Sequence, residues 1–399
     1  MTTLIITTVL IVIILWLTLD FKLGKKKHLK KQKRKPHPFR QSDFSIFDSG
    51  PELFKDYFSE LKKAKHHIHI LFYIVKDDEI STEFLTILKN KANEGIEVRL
   101  LLDWLGSHSV KKETIQSLKK HGIEFSFAQK LKLPFLFFST QVRNHRKISV
   151  IDGKIGYIGG FNVGKEYINL DSKLSPWRDY HLKITGEGVE DLQKQFLEDW
   201  HEETKINLLA NRKFFPLLPK GGIHHQIIPS KGIFLEDTYS GLIRRAKKSI
   251  VIGTPYFIPS SKLVADMLSA LNRGISLTIL VPNTADHILV KEASFPYLRT
   301  LLKQGAHVYQ FLNGFYHAKV LIIDDDICDI GTANFDERSL FLNCEINCYI
   351  HDRHFVEKIK KIVYDDIRDS EALTLNQLKQ PNLLRTSKEF IARLAAPFL

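Results

Sequence analysis

The run HRKISVIDGKIGYIGGFN, residues 145–162, recurs as HAKVLIIDDDICDIGTAN, residues 317–334, with its chemistry-bearing positions in register. His145, Lys147, Asp152, Gly159 and Asn162 are answered by His317, Lys319, Asp324, Gly331 and Asn334. One copy alone is compatible with an ordinary strand end that carries a histidine. Two matched copies point to a single active site assembled from two halves. Between each lysine and aspartate lies a short apolar run, Ile148–Ile151 and Val320–Ile323, which reads as a buried strand.

Displacement at a phosphodiester uses these residue types. A histidine can attack phosphorus and form a phosphohistidine, while a second histidine protonates the leaving alcohol and later activates the incoming one. Lysines give fixed positive charge to the phosphoryl oxygens, and asparagine amides donate hydrogen bonds to them. This set requires no metal or other cofactor. His145 is the preferred nucleophile and His317 the acid and then base. Lys147, Lys319, Asn162 and Asn334 are the phosphate ligands. Asp152 and Asp324 belong to the catalytic motifs and are expected to brace them by ion pairing.

With both motifs written out, the chain resembles the phospholipase D superfamily, whose duplicated signature is His-x-Lys-x4-Asp-x6-Gly-x-x-Asn. Flanking segments extend the resemblance to its bacterial cardiolipin synthase branch, short type with one N-terminal membrane helix. These are Trp177-Arg-Asp179-Tyr-His181 after the first copy and Asn334-Phe-Asp336-Glu-Arg338-Ser339 with Asn343-Cys-Glu345-Ile-Asn347 after the second. The likeness covers roughly residues 45 to 399. One departure is the residue after the first motif glycine, where the family often has serine. Here it is Gly160 in one copy and Thr332 in the other. Glu345 and Asp179 are candidates to orient the histidines, with a surface ion pair as the plainer reading for each.

Landmarks outside the motifs repeat as well. Ile68–Phe72, a helical segment from Ser81 to Asn93, and Gly95–Asp103 are matched by Ser249–Ile252, Lys262–Asn272 and Gly274–Val281. This is α/β order. The resemblance implies two pseudo-symmetric phospholipase D-like α/β domains with mixed sheets flanked by helices, meeting at a cleft. The expected boundaries are a transmembrane anchor at 1–20, a basic juxtamembrane linker at 21–44, a first domain at 45–215 and a second at 216–399. The halves differ in one respect: Gly122 to His145 spans 23 positions, whereas Gly305 to His317 spans 12. The excess falls in LKLPFLFFST, residues 131–140. Such a stretch either fills a gap between domains or contacts acyl chains and the bilayer. Residues Leu383 to Leu399 place apolar side chains at helical spacing, expected either on the core or at a membrane interface.

Residues 1–19 carry no charge, and about 20 apolar residues cross a bilayer. There is no basic start or small-residue cleavage pattern, so a retained anchor is expected rather than a cleaved signal. Residues 21–40 then hold ten Lys or Arg. That bias places them in the cytoplasm, with the catalytic part following in the same compartment. A basic segment there also attracts anionic headgroups. Of the net charge of +13, residues 1–40 account for +9, leaving +4 over the rest. A nucleic-acid partner is therefore not expected. Cys328, Cys344 and Cys348 form neither a disulfide framework nor a zinc spacing, and they read as core.

By the resemblance, phosphatidylglycerol and anionic membrane lipids are the partners, and transphosphatidylation between two phosphatidylglycerols is the reaction. A phosphatidylserine synthase, a hydrolytic phospholipase D or a membrane-tethered nuclease would use the same histidines. A non-catalytic scaffold would not retain both motifs.

Overall fold

The computed structural model describes residues 1–30, 34–287, 289–379 and 387–392. Alternating helices and short β-branched runs build each half. The first contains β1 (Arg40–Ser49), β2 (His67–Phe72), β3 (Glu97–Asp103), β4 (Glu124–Ala128), β5 (Ile148–Ile151), β6 (Ile155–Gly159) and β7 (Trp177–Gly186). The second contains β8 (Ile223–Lys231), β9 (Ser249–Gly253), β10 (Phe257–Ile258), β11 (Ser276–Pro282), β12 (His307–Phe311), β13 (Phe315–Tyr316), β14 (Val320–Ile323), β15 (Ile327–Gly331), β16 (Phe335–Asp336), β17 (Cys344–Ile350) and β18 (Ser370–Ala372).

Helical crossovers make β2, β3 and β4 parallel, and likewise β9, β11 and β12. Tight turns join β5 to β6 and β14 to β15, longer connections lead on to β7 and β17, and β5–β6–β7 and β14–β15–β17 are antiparallel. The half-sheet order β1-β7-β6-β5-β2-β3-β4 is repeated as β8-β17-β15-β14-β9-β11-β12, so the duplication read from the motifs extends to strand topology.

The mixed sheets of the two halves are continuous with one another. β1 pairs antiparallel with β8, Arg40 opposite His225 and Ser42 opposite Ile223, and fuses the halves into one sheet of sixteen strands among the described residues. The join exists because both outer strands would otherwise expose unpaired backbone groups, and each completes the other. A shared core lies on one face of the fused sheet. Leu182, Ile184, Leu192 and Phe196 from the first half meet Ile330, Ile346, Ile350 and Ile359 from the second. Separate cores sit under the crossover helices of each half. All three cysteines are free and buried in strands, as core residues should be.

Regular structure occupies both ends of the segment 21–44. The N-terminal helix Thr2–Lys30 continues without a break through the first basic residues, and β1 already belongs to the sheet from Arg40. The helix is long and apolar enough to cross a membrane. The insertion at 131–140 folds into a short helix, Leu136–Gln141. Of the C-terminal segment, residues 380–386 and 393–399 lie outside the described residues. Residues 387–392 are helical, with Ala392 buried beside Ile258 and Val290 while Phe390 and Ile391 remain exposed.

Candidate active site

Each motif histidine precedes a buried strand, β5 or β14, that runs antiparallel to β2 or β9. This geometry brings the histidines to the edge where β2 and β9 end, the edge at which α/β sheets collect their ligands. Each histidine loop is then joined by backbone hydrogen bonds to a strand of the opposite half. The His145 amide donates to the Cys344 carbonyl at 2.9 Å, and the Cys344 amide to Arg143 at 2.8 Å. Likewise β13 pairs with the start of β7, and the His317 amide donates to the Arg178 carbonyl at 2.7 Å.

These joins exchange carboxylates between the halves. His145 Nδ1 lies 3.0 and 2.9 Å from the two oxygens of Glu345, a residue of β17. His317 Nδ1 lies 2.5 Å from Asp179 Oδ2, on β7. Both acids are fully buried, so the surface-ion-pair reading does not hold for either. A carboxylate on Nδ1 fixes the ring and leaves Nε2 for substrate. Both histidines line one cleft of about 810 Å³, which also receives Asn162, Asn334, Tyr73, Tyr256, Trp177 and Asp336.

The lysines are buried beside the histidines. Lys147 Nζ donates to the His145 carbonyl at 2.9 Å, and Lys319 Nζ sits 2.6 Å from His317 Nδ1 and 3.4 Å from Asp179. Burial lowers the pKa of Lys147 to about 7 against the pull of Glu345, and lowers that of Lys319 as well. It also depresses both histidines. His145 is partly restored by Glu345, whereas His317, pressed further by Lys319, falls to about 4. Burial works to raise Asp179 and Glu345, but the cations outweigh it and hold both below the usual carboxylate range. Lys147, Lys319, Glu345 and Asp179 are not on the cleft wall but buried behind the two histidines, and the charge they place there suits an anionic phosphodiester.

The asparagines reach the same cleft by different attachments. The Asn162 side-chain oxygen accepts from the Ile74 amide at 3.1 Å, while Asn334 donates to Asp336 at 3.0 Å and leaves its own buried oxygen without a partner among the described residues. Burial raises Asp336 to about 6.

Among the described residues Asp152 and Asp324 do not form the expected ion pairs. Asp152 accepts from the amides of Lys65, His66 and His67, and Asp324 from those of Lys247, Lys248 and Ser249. Each carboxylate gathers the amides that open β2 or β9 at the far end of the motif strand, and it braces by hydrogen bonding. Thr332 donates its hydroxyl to Glu345 at 2.6 Å. Gly160 has no room for a side chain, since a Cβ there would lie 2.0 Å from Asp179 Oδ1.

Sequence reasoning missed two tyrosines. Tyr73 stands edge-on to His145 with ring centroids 4.9 Å apart, and Tyr256 approaches His317 at 6.4 Å. The available signal was their common place just past β2 and β9, in LFYIV and TPYFI. Among the described residues no group of three or more His, Cys, Asp or Glu is arranged to hold a metal ion.

The family model described as the phospholipase D-like domain of cardiolipin synthase matches residues 57–200 and 239–367, one match in each half. Minor cardiolipin synthase ClsB of Bacillus subtilis is 39% identical over 395 residues, 99% of both chains. Cardiolipin synthase 2 of Staphylococcus epidermidis is 38% identical over 90% of this chain and 75% of its own length. Among solved structures, phosphatidylserine synthase of Haemophilus influenzae has the same fold, with a TM-score of 0.74 at 16% identity, covering 94% of this chain and 100% of that one. Two motif-bearing halves, one shared cleft and likeness along the whole length lead to one assignment: the chain belongs to the cardiolipin synthase family of phospholipase D-like proteins.

Proposed function

We propose that this phosphatidyltransferase makes cardiolipin by joining two phosphatidylglycerol molecules. The observation that carries the chemistry is the reciprocal bracing of two histidines, each by a carboxylate of the other half, over one cleft. The lipid class follows the end-to-end likeness to the minor cardiolipin synthase.

In the first step His145 Nε2 attacks phosphorus, a P–N bond forms, and the P–O bond to glycerol breaks. His317 gives its proton to the glycerol oxygen. In the second step His317 takes the proton of a terminal hydroxyl on another phosphatidylglycerol, that oxygen attacks phosphorus, and the P–N bond breaks. Lys147, Lys319, Asn162 and Asn334 hold the phosphoryl oxygens. Glu345 and Asp179 stabilise the imidazolium forms. One observation favours the reverse assignment: the lower value of His317 suits a nucleophile, which must be neutral before attack. Trapping the phosphoenzyme and locating the phosphate by peptide mass spectrometry decides between them.

Purified protein in phosphatidylglycerol vesicles with EDTA should yield cardiolipin and glycerol in equal amounts. Phosphatidic acid in place of cardiolipin, with glycerol still released, would make the enzyme a hydrolase, and no turnover without added metal would overturn the two-histidine chemistry. The helix Thr2–Lys30 is read as a single-pass anchor with the catalytic part in the cytoplasm. A C-terminal tag should then resist protease in intact cells and become sensitive on permeabilisation.

A further inference from the structure

The inner end of the N-terminal helix is docked on the catalytic body. Asp20, which closes the uncharged run, is only 6% exposed, and its Oδ1 accepts the Phe138 amide at 2.7 Å. One turn later Gly24 lies flat on Phe138, where any Cβ would come within 2.6 Å of the phenyl group. Phe21 stands edge-on to Phe138 at 5.9 Å, and His28 reaches the Lys231 carbonyl at 2.8 Å. Lys25 lies over the Phe341 ring, which comes from the second half. The helix therefore grips both halves, beside the rim of the cleft. The insertion helix leads through Val142, Arg143 and Asn144 directly into His145.

Depth along the helix sets where this contact lies. From Leu19 to Gly24 is five residues, about 7.5 Å of rise. The headgroup layer on each side of a bilayer is roughly 5–7 Å deep. The contact with the insertion therefore runs across that layer, from Asp20 at its inner side to Gly24 at its outer edge. Its other side is bare: Leu133 is 81% exposed, Leu131 45% and Leu136 37%, flanked by Lys130 and Lys132. Exposed leucines beside Lys130 and Lys132, the latter also reaching Glu203 at 3.3 Å, match the chemistry of an anionic lipid surface when held at headgroup depth.

We propose that Asp20–His28 and the insertion form a dock that lays the cleft rim on the bilayer, with Leu131, Leu133 and Leu136 set among phospholipid headgroups. The proposal rests on the reading of Thr2–Lys30 as a membrane anchor. A substrate headgroup then enters the cleft while its acyl chains stay in the bilayer. The dock also accounts for the insertion occurring in one half only, since a single helix needs a single receptor.

The three native cysteines are buried, so one introduced surface cysteine takes an environment-sensitive dye selectively. Full-length Leu133→Cys, labelled and reconstituted in phosphatidylglycerol vesicles, should fluoresce severalfold more strongly and at shorter wavelength than Leu217→Cys. Leu217 is fully exposed beside Pro216, which packs on Gly153 at the end of β5 remote from the cleft. Adding Gly24→Leu, or Asp20→Ala where the first variant folds poorly, should return the dye at 133 to the Leu217 signal while the protein still floats with the vesicles. A water-like signal at 133 in floating protein, or no response to either dock variant, overturns the proposal. Failure to float would instead remove the anchor reading beneath it.

Discussion

The two histidine centres share a backbone plan and differ in how their carboxylates are held. Glu345 is surrounded by donors: Thr332 at 2.6 Å, Ser339 at 3.0 Å and Asn343 at 3.4 Å, besides His145. Asp179 lies against the bare Gly160 and receives Lys319 as well as His317. Beside its histidine, the longer acid is thus held by three neutral side chains, and the shorter one by a cation and the Tyr180 amide at 2.8 Å. Arg146 adds to the difference, since it ties the Glu345 carbonyl at 2.9 Å to a buried pair with Asp199, whereas its counterpart is Ala318. Duplication supplied the frame, and the two halves then diverged where each carboxylate is held. This is what sequential acid, base and nucleophile roles require of two imidazoles.

The harshest way to break the pairing is to remove either ring. His145→Ala and His317→Ala should each lower turnover of phosphatidylglycerol by roughly 10⁴-fold or more, as when a covalent catalyst loses a member of its unit. A p-nitrophenyl phosphodiester, whose leaving group needs no proton, sharpens the result. His317→Ala should recover the initial burst of nitrophenol and His145→Ala should not. Recovery in His145→Ala alone would exchange the roles.

Neutralising the carboxylates comes next. Glu345→Gln and Asp179→Asn keep the shape but lose the charge that favours imidazolium, and each should cost about 10²–10⁴-fold in kcat. Each loss should track the histidine of the opposite half: Glu345→Gln should add little to His145→Ala in a double-mutant cycle but combine fully with changes in the other centre. Coupling of Glu345 to His317 instead would contradict the crossed arrangement.

Between Gly160 and Thr332 the expected effects are smaller and unequal. Thr332→Val removes one hydrogen bond to a buried charge, worth about 1.5–3 kcal/mol, so kcat should fall about tenfold to a hundredfold. Gly160→Ala drives a methyl into Asp179 and should exceed that loss. Equal, mild effects in steady-state assays would show that the two acids tolerate the same displacement.

The mildest effect is on pH dependence. Lys147 is held near 7 by burial, so it loses its proton as pH rises through that value and phosphate binding weakens. The kcat/KM of wild type should decline above about pH 7 by up to tenfold per unit, the slope of a single proton. Lys147→Arg, charged throughout, should flatten that limb whatever its absolute rate.

Much of the site was legible because its chemistry is written as a local repeat. His145, Lys147, Asn162 and their counterparts are close in sequence, and a short strand brings each set to one end of the sheet. The crossed partnership could not be read in the same way. Glu345 is 200 residues from His145, and Asp179 is 138 from His317. Nothing in either segment names the ring it will meet. The partners of Asp152 and Asp324 were missed for a related reason, since backbone amides leave no mark on the sequence.

The sequence by itself determined the duplication, the α/β order, the candidate site residues and the apolar segment at the N-terminus, because each depends on residue type and short-range periodicity. Only the tertiary structure decided that β1 and β8 fuse the halves into one sheet, that the carboxylates are exchanged between them, and that the insertion receives the N-terminal helix. These are packing outcomes. Strand edges must find partners, and a buried acid such as Asp20 must find a donor, here the Phe138 amide. Which distant segment satisfies each demand is settled when the whole chain closes on itself.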